Sequence, residues 1–143
     1  MTKKPKIVNE EDLIITKKID KDIYGGWQQV TDIVYEKNGK VRFTGSGVSY
    51  YNNGQLMWKG NFTDGKMDGA WFRYHNNGRL ESKGTYKDGM SDGLWVKYHQ
   101  NGRLSWKGTY KNRKKEGPWV NYNEDGTVRE KPTGTYKDGV KVR

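Results

Sequence analysis

The sequence predicts an all-β protein in which tandem β-hairpins form one elongated, single-layer antiparallel sheet. The first observation is a 24-residue period, which places turn glycines at Gly54, Gly78 and Gly102. A fixed period of this length is typical of repeat architectures, in which each unit packs on its neighbours. The second is that Asn-Gly or Asp-Gly pairs, typical of two-residue hairpin turns, punctuate the period. The same period relates further residues that we expect to be structural: Trp71, Trp95, Trp119, Tyr74, Tyr98 and Tyr122.

The composition indicates a thin core rich in aromatic residues. The chain has 143 residues, enough for one domain, with 6 Trp, 10 Tyr and 3 Phe. An aromatic ring buries about 150–250 Å², so few rings are needed in each repeat. Cysteine is absent, which excludes disulfides and thiolate metal sites. No apolar run predicts a signal peptide or a membrane span, so we expect a cytoplasmic protein, with a peripheral membrane position as the alternative.

The positive charge belongs mainly to the repeats. The formal net charge is +10, and residues 51–143 carry 18 Lys or Arg against ten acids. A field of this sign attracts phosphates, anionic lipids or an acidic protein. The alternative is that the charge only keeps an aromatic-rich sheet soluble.

The periodicity also predicts the domain boundaries. Residues 1–22 lack a sustained pattern and are predicted to be a flexible arm. Residues 23–143 are predicted to form the repeat domain, because repeat arrays need atypical units at their ends to close the core. Its predicted parts are a capping hairpin over 23–49, regular repeats over 50–122 and a degenerate repeat over 123–143.

Each Asn-Gly turn is followed by a strand with one packed and one water-facing side. We expect the central glycine, such as Gly60, to leave room for an aromatic ring from a neighbouring strand. In the return strand Trp71 and Tyr74 are three residues apart, so either a bulge lies between them or both faces carry aromatic residues. In the first unit one face holds Leu56, Trp58, Gly60 and Phe62, and the other holds Met57, Lys59 and Asn61.

A lysine ladder recurs on the water-facing side of these strands. Its members Lys59, Lys83 and Lys107 are 24 residues apart, which corresponds to about 10 Å across two strand spacings. Such a row fits phosphates, lipid headgroups or an acidic protein, or it only prevents edge pairing. The further candidate binding residues are Arg73, Arg79, Lys97, Arg103, Lys111, Arg113, Lys114 and Lys115.

Catalytic and metal-binding residues are not predicted. His75 and His99 occupy one repeat phase and lack the additional ligands that a metal site needs. Aspartates such as Asp64 and Asp88 precede glycine in turn pairs, where their side chains bond to the backbone. We therefore predict no cofactor, favour a protein partner, keep anionic lipid as the alternative and disfavour nucleic acid.

The repeat units resemble MORN repeats (membrane occupation and recognition nexus). The unit YHNNGRLESKGTYKDGMSDGLWVKY and its neighbours are most similar to the bacterial variant Y-x-x-N-G-x-L-x-x-x-G-x-Y-x-x-G-x-x-x-G-x-W. The resemblance covers about residues 33–139. The third unit departs from it with Arg113 in place of glycine, and the fourth departs by inserting Lys131-Pro132.

The resemblance implies a non-enzymatic binding or scaffold protein. MORN arrays are described as protein-interaction modules and, in some cases, as phospholipid-associated ones. Many bacterial proteins of the variant type are labelled as the antitoxin of a toxin–antitoxin pair, which implies an antitoxin or immunity-type protein. The charge of +10 departs from that role, because an inhibitor that covers a basic nuclease is expected to be acidic.

Replacing Trp95 with alanine is expected to lower the free energy of unfolding by about 3–5 kcal/mol, because a buried indole would leave a cavity. Thermal and urea denaturation measure this change. An unaltered melting curve would instead make Trp95 a surface residue.

Overall fold

The computed structural model describes residues 43–143 and, before them, the backbones of five short strands. Strand β1 runs parallel to β6, whereas β2 pairs with β5 and β3 pairs with β4, both antiparallel. Much of the predicted capping hairpin, residues 23–49, lies outside the described residues, so this hairpin stays a prediction. The five strands are β1 (Lys6–Asn9), β2 (Leu13–Ile15), β3 (Asp20–Lys21), β4 (Gln28–Gln29) and β5 (Val34–Glu36).

One open sheet contains β1 followed by β6 to β14 in chain order. From β6 onwards each strand pairs antiparallel with the next strand of the chain. The predicted all-β repeat fold is therefore confirmed. These strands are β6 (Gly45–Tyr50), β7 (Leu56–Thr63), β8 (Lys66–Tyr74), β9 (Leu80–Lys87), β10 (Met90–Tyr98), β11 (Leu104–Lys111), β12 (Lys114–Asn121), β13 (Gly134–Lys137) and β14 (Val140–Lys141).

The Asn-Gly turns stack along one edge of the sheet. Gly78 has a φ of +87°, a left-handed conformation that favours glycine. The side chain of Asn77 holds the turn, because its Oδ1 accepts the amide of Arg79 at 2.9 Å and its Nδ2 donates to the carbonyl of Gln100 at 3.2 Å. Each turn is thus hydrogen-bonded within itself and to the turn of the next repeat.

The last turn keeps this geometry with Asp125 in place of asparagine. Its Oδ1 accepts the Thr127 hydroxyl at 2.6 Å and the Thr127 amide at 2.9 Å. These two bonds lower the pKa of the Asp125 carboxyl below its ordinary value, and the bond from the Thr127 hydroxyl has the larger effect. The degenerate repeat therefore departs in sequence and conserves the turn hydrogen bond.

The core consists of tryptophan rings that lie over the glycines of the preceding strand. A Cβ built on Gly84 would lie 2.0 Å from the ring of Trp95, and one on Gly60 would lie 2.0 Å from the ring of Trp71. Any side chain at these glycines would overlap the ring. The structure confirms that the strand glycines make room for neighbouring aromatic rings.

These rings form a continuous chain across one side of the sheet, which we call the inner face. Trp58 stacks on Trp71 at a centroid distance of 4.9 Å, and Tyr86 meets the edge of Trp95 at 5.0 Å. Ser82 occupies the repeat phase of Trp58 and is fully buried, with no partner for its hydroxyl. The buried members of the cluster are Phe43, Trp58, Phe62, Met67, Trp71, Tyr86, Trp95, Trp106, Tyr110 and Trp119.

The strand register shifts on both sides of Trp71 and of Trp95. Gly69, two residues before Trp71, has a φ of +97°, and the register of β7 with β8 shifts beside it. A second shift falls between Arg73 and Tyr74, and the equivalent shift falls before Tyr98. The extra residue at the second shift is Glu81 of β9, because Arg73 pairs with Ser82 and Tyr74 pairs with Leu80, so the register gives β8 no bulge between Trp71 and Tyr74.

Replacing Gly84 with alanine is expected to lower the free energy of unfolding by about 1–3 kcal/mol, because the methyl group would overlap the Trp95 ring. Gly54→Ala is the matched control, since a Cβ there meets open space. Its expected cost in the free energy of unfolding is about 1 kcal/mol, which comes only from the left-handed φ of +85°. Urea denaturation of both variants measures the difference. Equal stability of wild type and Gly84→Ala would contradict the Gly–Trp contact.

Replacing Arg113 with glycine is expected to stabilise the protein by about 1 kcal/mol. Arg113 has a φ of +70° in the tip after β11, where the tip after β9 has Gly89 with a φ of +78°. Arg113→Lys is the control, because it keeps the charge and the strained backbone and should melt like the wild type. A drop in melting temperature for Arg113→Gly would show that the arginine side chain contributes more than its backbone costs.

Candidate docking surface

The lysine ladder lies on the side of the sheet opposite the rings, which we call the outer face. Here each lysine pairs across the strands with an apolar residue: Lys59 with Phe72, and Phe72 in turn with Lys83. Lysine and apolar side chains therefore alternate from strand to strand. We call this line the lysine row, and its members from β6 to β12 are Val48, Lys59, Phe72, Lys83, Val96, Lys107 and Val120.

The ladder lysines are exposed while the apolar side chains between them are partly or fully covered. The ammonium group of Lys59 lies 5.0 Å from the centre of the Phe72 ring, a cation–π distance. Val96 is only 6% exposed, and the stems of the flanking lysines can cover it while their charges stay in water. Within residues 43–143 no acidic side chain forms an ion pair with a ladder lysine.

A second row runs beside the lysine row, two residues further along each strand. Its apolar members Ala70, Leu94 and Pro118 are exposed, Leu94 by 53%. The lysine row contains no acidic residue, whereas Asp92 and Glu116 pair with Thr85 and Thr109 of the second row. The second row is interrupted at the bulges of β10 and β12, and its members are Ser46, Asn61, Ala70, Thr85, Leu94, Thr109 and Pro118.

Sequence reasoning missed this apolar content of the outer face. The available signal is that the residues before and after each tryptophan are apolar in all three repeats, as in Ala70-Trp71-Phe72. A strand with one purely water-facing side would carry polar residues there.

The two rows enclose a depression of about 350 Å³ at the end of the face near β6. Val48, Ala70 and Phe72 line its apolar part, and Lys59 stands at its side. Its polar wall is held by a hydrogen bond of 2.8 Å from the Ser46 hydroxyl to Oδ1 of Asn61. The depression is thus a mainly apolar recess beside a cation.

Two predicted binding residues lie on the inner face. Arg73 stands between Trp58 and Ser82 in the strand register, and Lys97 is the other cross-strand neighbour of Ser82. Nε of Arg73 lies 3.6 Å from a carboxylate oxygen of Glu81. These two cations are therefore separated from the lysine ladder by the sheet itself.

The remaining predicted binding residues lie at the ends of strands. Nη1 of Arg79 donates to the carbonyl of Gln100 at 3.4 Å, and Arg103 makes the equivalent bond to the next turn. Lys115 is 8% exposed and lies 4.5 Å from the Trp119 ring. The other three, Lys111, Arg113 and Lys114, form one hairpin tip.

The histidines serve the links between repeats. Nε2 of His75 lies 2.9 Å from the carbonyl oxygen of Tyr98, and Nε2 of His99 lies 2.9 Å from that of Tyr122. Tyr51 makes the same link with its hydroxyl at 2.6 Å. Among the residues that the structure describes, no group of three or more His, Asp or Glu side chains is placed to hold a metal ion. The same residues include no helix with the length and apolarity to cross a membrane.

Two segments in the middle of the chain, residues 67–88 and 91–112, match the family model described as MORN repeat variant. The match supports the MORN-repeat family. The two segments begin 24 residues apart, so the matched repeats and the structural period coincide. MORN repeats commonly mediate protein or membrane-lipid interactions. No curated protein matches the chain.

Proposed function

We propose that this chain is a non-enzymatic binding protein that holds an acidic protein partner on its outer face. The observation that supports the proposal is the lysine row, in which exposed lysines alternate with apolar side chains and no acid intervenes. Positive charge steers an acidic partner towards the face, and apolar contact then holds it. The exposed side chain of Leu94 in the second row supplies such contact.

The alternative is peripheral binding of anionic phospholipid through Lys59, Lys83 and Lys107. Each lysine near an anionic membrane contributes about 1 kcal/mol, so the ladder supplies about 3 kcal/mol. That free energy corresponds to a dissociation constant weaker than about 1 mM. The ladder alone therefore gives weak membrane attachment, and a partner that also contacts the apolar residues is favoured.

An antitoxin or immunity-type role is a more specific form of the proposal. With a net charge of +10 the chain repels a basic nuclease. A toxin inhibited through the outer face would have to present an acidic surface. The role thus depends on the charge of the partner rather than on any residue of this chain.

The test replaces Lys59, Lys83 and Lys107 together with glutamate. We expect the variant to bind polyglutamate at least about 10-fold more weakly than the wild type, because three attractions become repulsions. Fluorescence anisotropy measures binding to the peptide, and co-sedimentation measures binding to vesicles that contain phosphatidylserine.

The control variant carries the same change at Arg129, Lys131 and Arg143, which are exposed, follow β12 and belong to neither row. Both variants lower the formal net charge from +10 to +4, so general electrostatic attraction falls equally. Equal binding of polyglutamate by the two variants would refute the proposed surface. Loss of vesicle binding alone in the ladder variant would replace the protein partner with lipid.

A further inference from the structure

The spacing of the lysine row restricts the shape of the partner that the proposed function calls for. Neighbouring strands lie about 4.8 Å apart, so the row presents a side chain about every 4.8 Å and a lysine about every 10 Å. The side chains at each step are known from the register, as Lys59, Phe72 and Lys83 in sequence across β7, β8 and β9. A matching partner must therefore present acidic and apolar groups in one line at these intervals.

Only one regular backbone conformation matches both the lysine spacing and the side chain at each intermediate step. An extended strand presents one side chain on a face about every 6.7 Å, which falls out of step with the lysines. A polyproline II helix repeats about every 9.3 Å, but its intervening side chains point to other sides. An α-helix presents residues i, i+3 or i+4, and i+7 along one stripe, with steps of about 5 Å and a repeat of about 10.5 Å.

The width of the face also fits a helix. The second row lies about 6.7 Å from the lysine row along the strands. A helix with side chains is about 10–12 Å across and touches both rows. Its acidic stripe would face the lysine ladder, while its apolar stripe would meet Ala70, Leu94 and Pro118, all of which are exposed.

From these observations we infer that the outer face binds an acidic amphipathic α-helix laid across the strands. The helix carries acidic residues at i, i+7 and i+14 opposite Lys59, Lys83 and Lys107 and an apolar stripe beside them. A bulky apolar residue at one end enters the depression between Val48 and Phe72. The inference rests on the proposed function and adds the conformation and the residue period of the partner.

The spacing of the lysines along the sheet and the heptad spacing of a helix differ by only a small distance, which lysine side chains can span. From the first to the third lysine the sheet advances about 19 Å over four strand spacings, against about 21 Å for fourteen helical residues. Neighbouring strands also rotate by about 20–25°, so the face turns between successive lysines. The flexible four-carbon stem of lysine takes up the difference in length, whereas the rotation, about 40–50° between successive lysines, requires the charged stripe of the helix to follow the turn of the face.

The experiment compares synthetic peptides with the full chain. The first peptide is a helix of about 22 residues with glutamate at i, i+7 and i+14 and leucine along the adjoining stripe. The second has the same composition and net charge, with the glutamates moved to the opposite side of the helix. The third is the first peptide with two proline substitutions that prevent helix formation.

We expect the first peptide to bind at least about 10-fold more tightly than the other two, because only it presents both stripes to the two rows. Leu94→Asn, which removes the apolar side chain without adding charge, should weaken the first peptide and leave polyglutamate binding unchanged. Lys83→Glu should also weaken it, and a peptide with lysine in place of the i+7 glutamate should restore binding.

The outcomes separate this inference from the proposed function. Equal affinity for the three peptides, with polyglutamate binding still dependent on the ladder lysines, would overturn the helical partner and leave the acidic partner in place. Failure of all peptides and of polyglutamate would overturn both. Tighter binding of phosphatidylserine vesicles than of the first peptide, lost on charge reversal of the ladder, would assign the face to a membrane surface.

Discussion

The fold depends on one contact, the tryptophan ring lying flat over the glycine of the preceding strand. All strands of residues 43–143 belong to one sheet, so these residues provide no second layer against which the inner face could bury its side chains. Here the rings pack on the backbone itself, and at Gly84 the space for a Cβ is already occupied by Trp95. The same arrangement recurs at Gly60 and Gly108, so each repeat builds its core from its own sequence and the next strand.

The repeated packing of tryptophan on glycine at the inner face also determines how the residues of the outer face are aligned. Because the rings and the glycines repeat together, the register shifts recur in the same places from β7 to β12, and the residues of the lysine row stay in one line. Lys59 and Lys107 belong to one row for that reason. The regularity of the candidate surface is therefore a consequence of the core.

Much of the fold follows from local signals in the sequence. The period, the Asn-Gly turns and the one-sided strands predicted the hairpins, and the ladder residues Lys59, Lys83 and Lys107 were predicted to share a face, as the register shows. The register shifts beside Gly69 were harder to predict, because a bulge depends on hydrogen bonds to a neighbouring strand. Without the bulges, the positions of Phe72 and Leu94 relative to the lysines could not be deduced. The parallel pairing of β1 with β6 likewise has no local signal. Binding by the ladder stays a prediction.

The hydrogen bonds that span 23 residues along the turn edge, such as that from Tyr51 to Tyr74, join each repeat only to the next. Strand pairing from β7 onwards is likewise confined to chain neighbours. Duplication or loss of one 24-residue unit would therefore lengthen or shorten the array without rewiring the rest. Each added unit would bring one more lysine to the ladder. The number of repeats would therefore set the length of the partner segment that the outer face can accommodate.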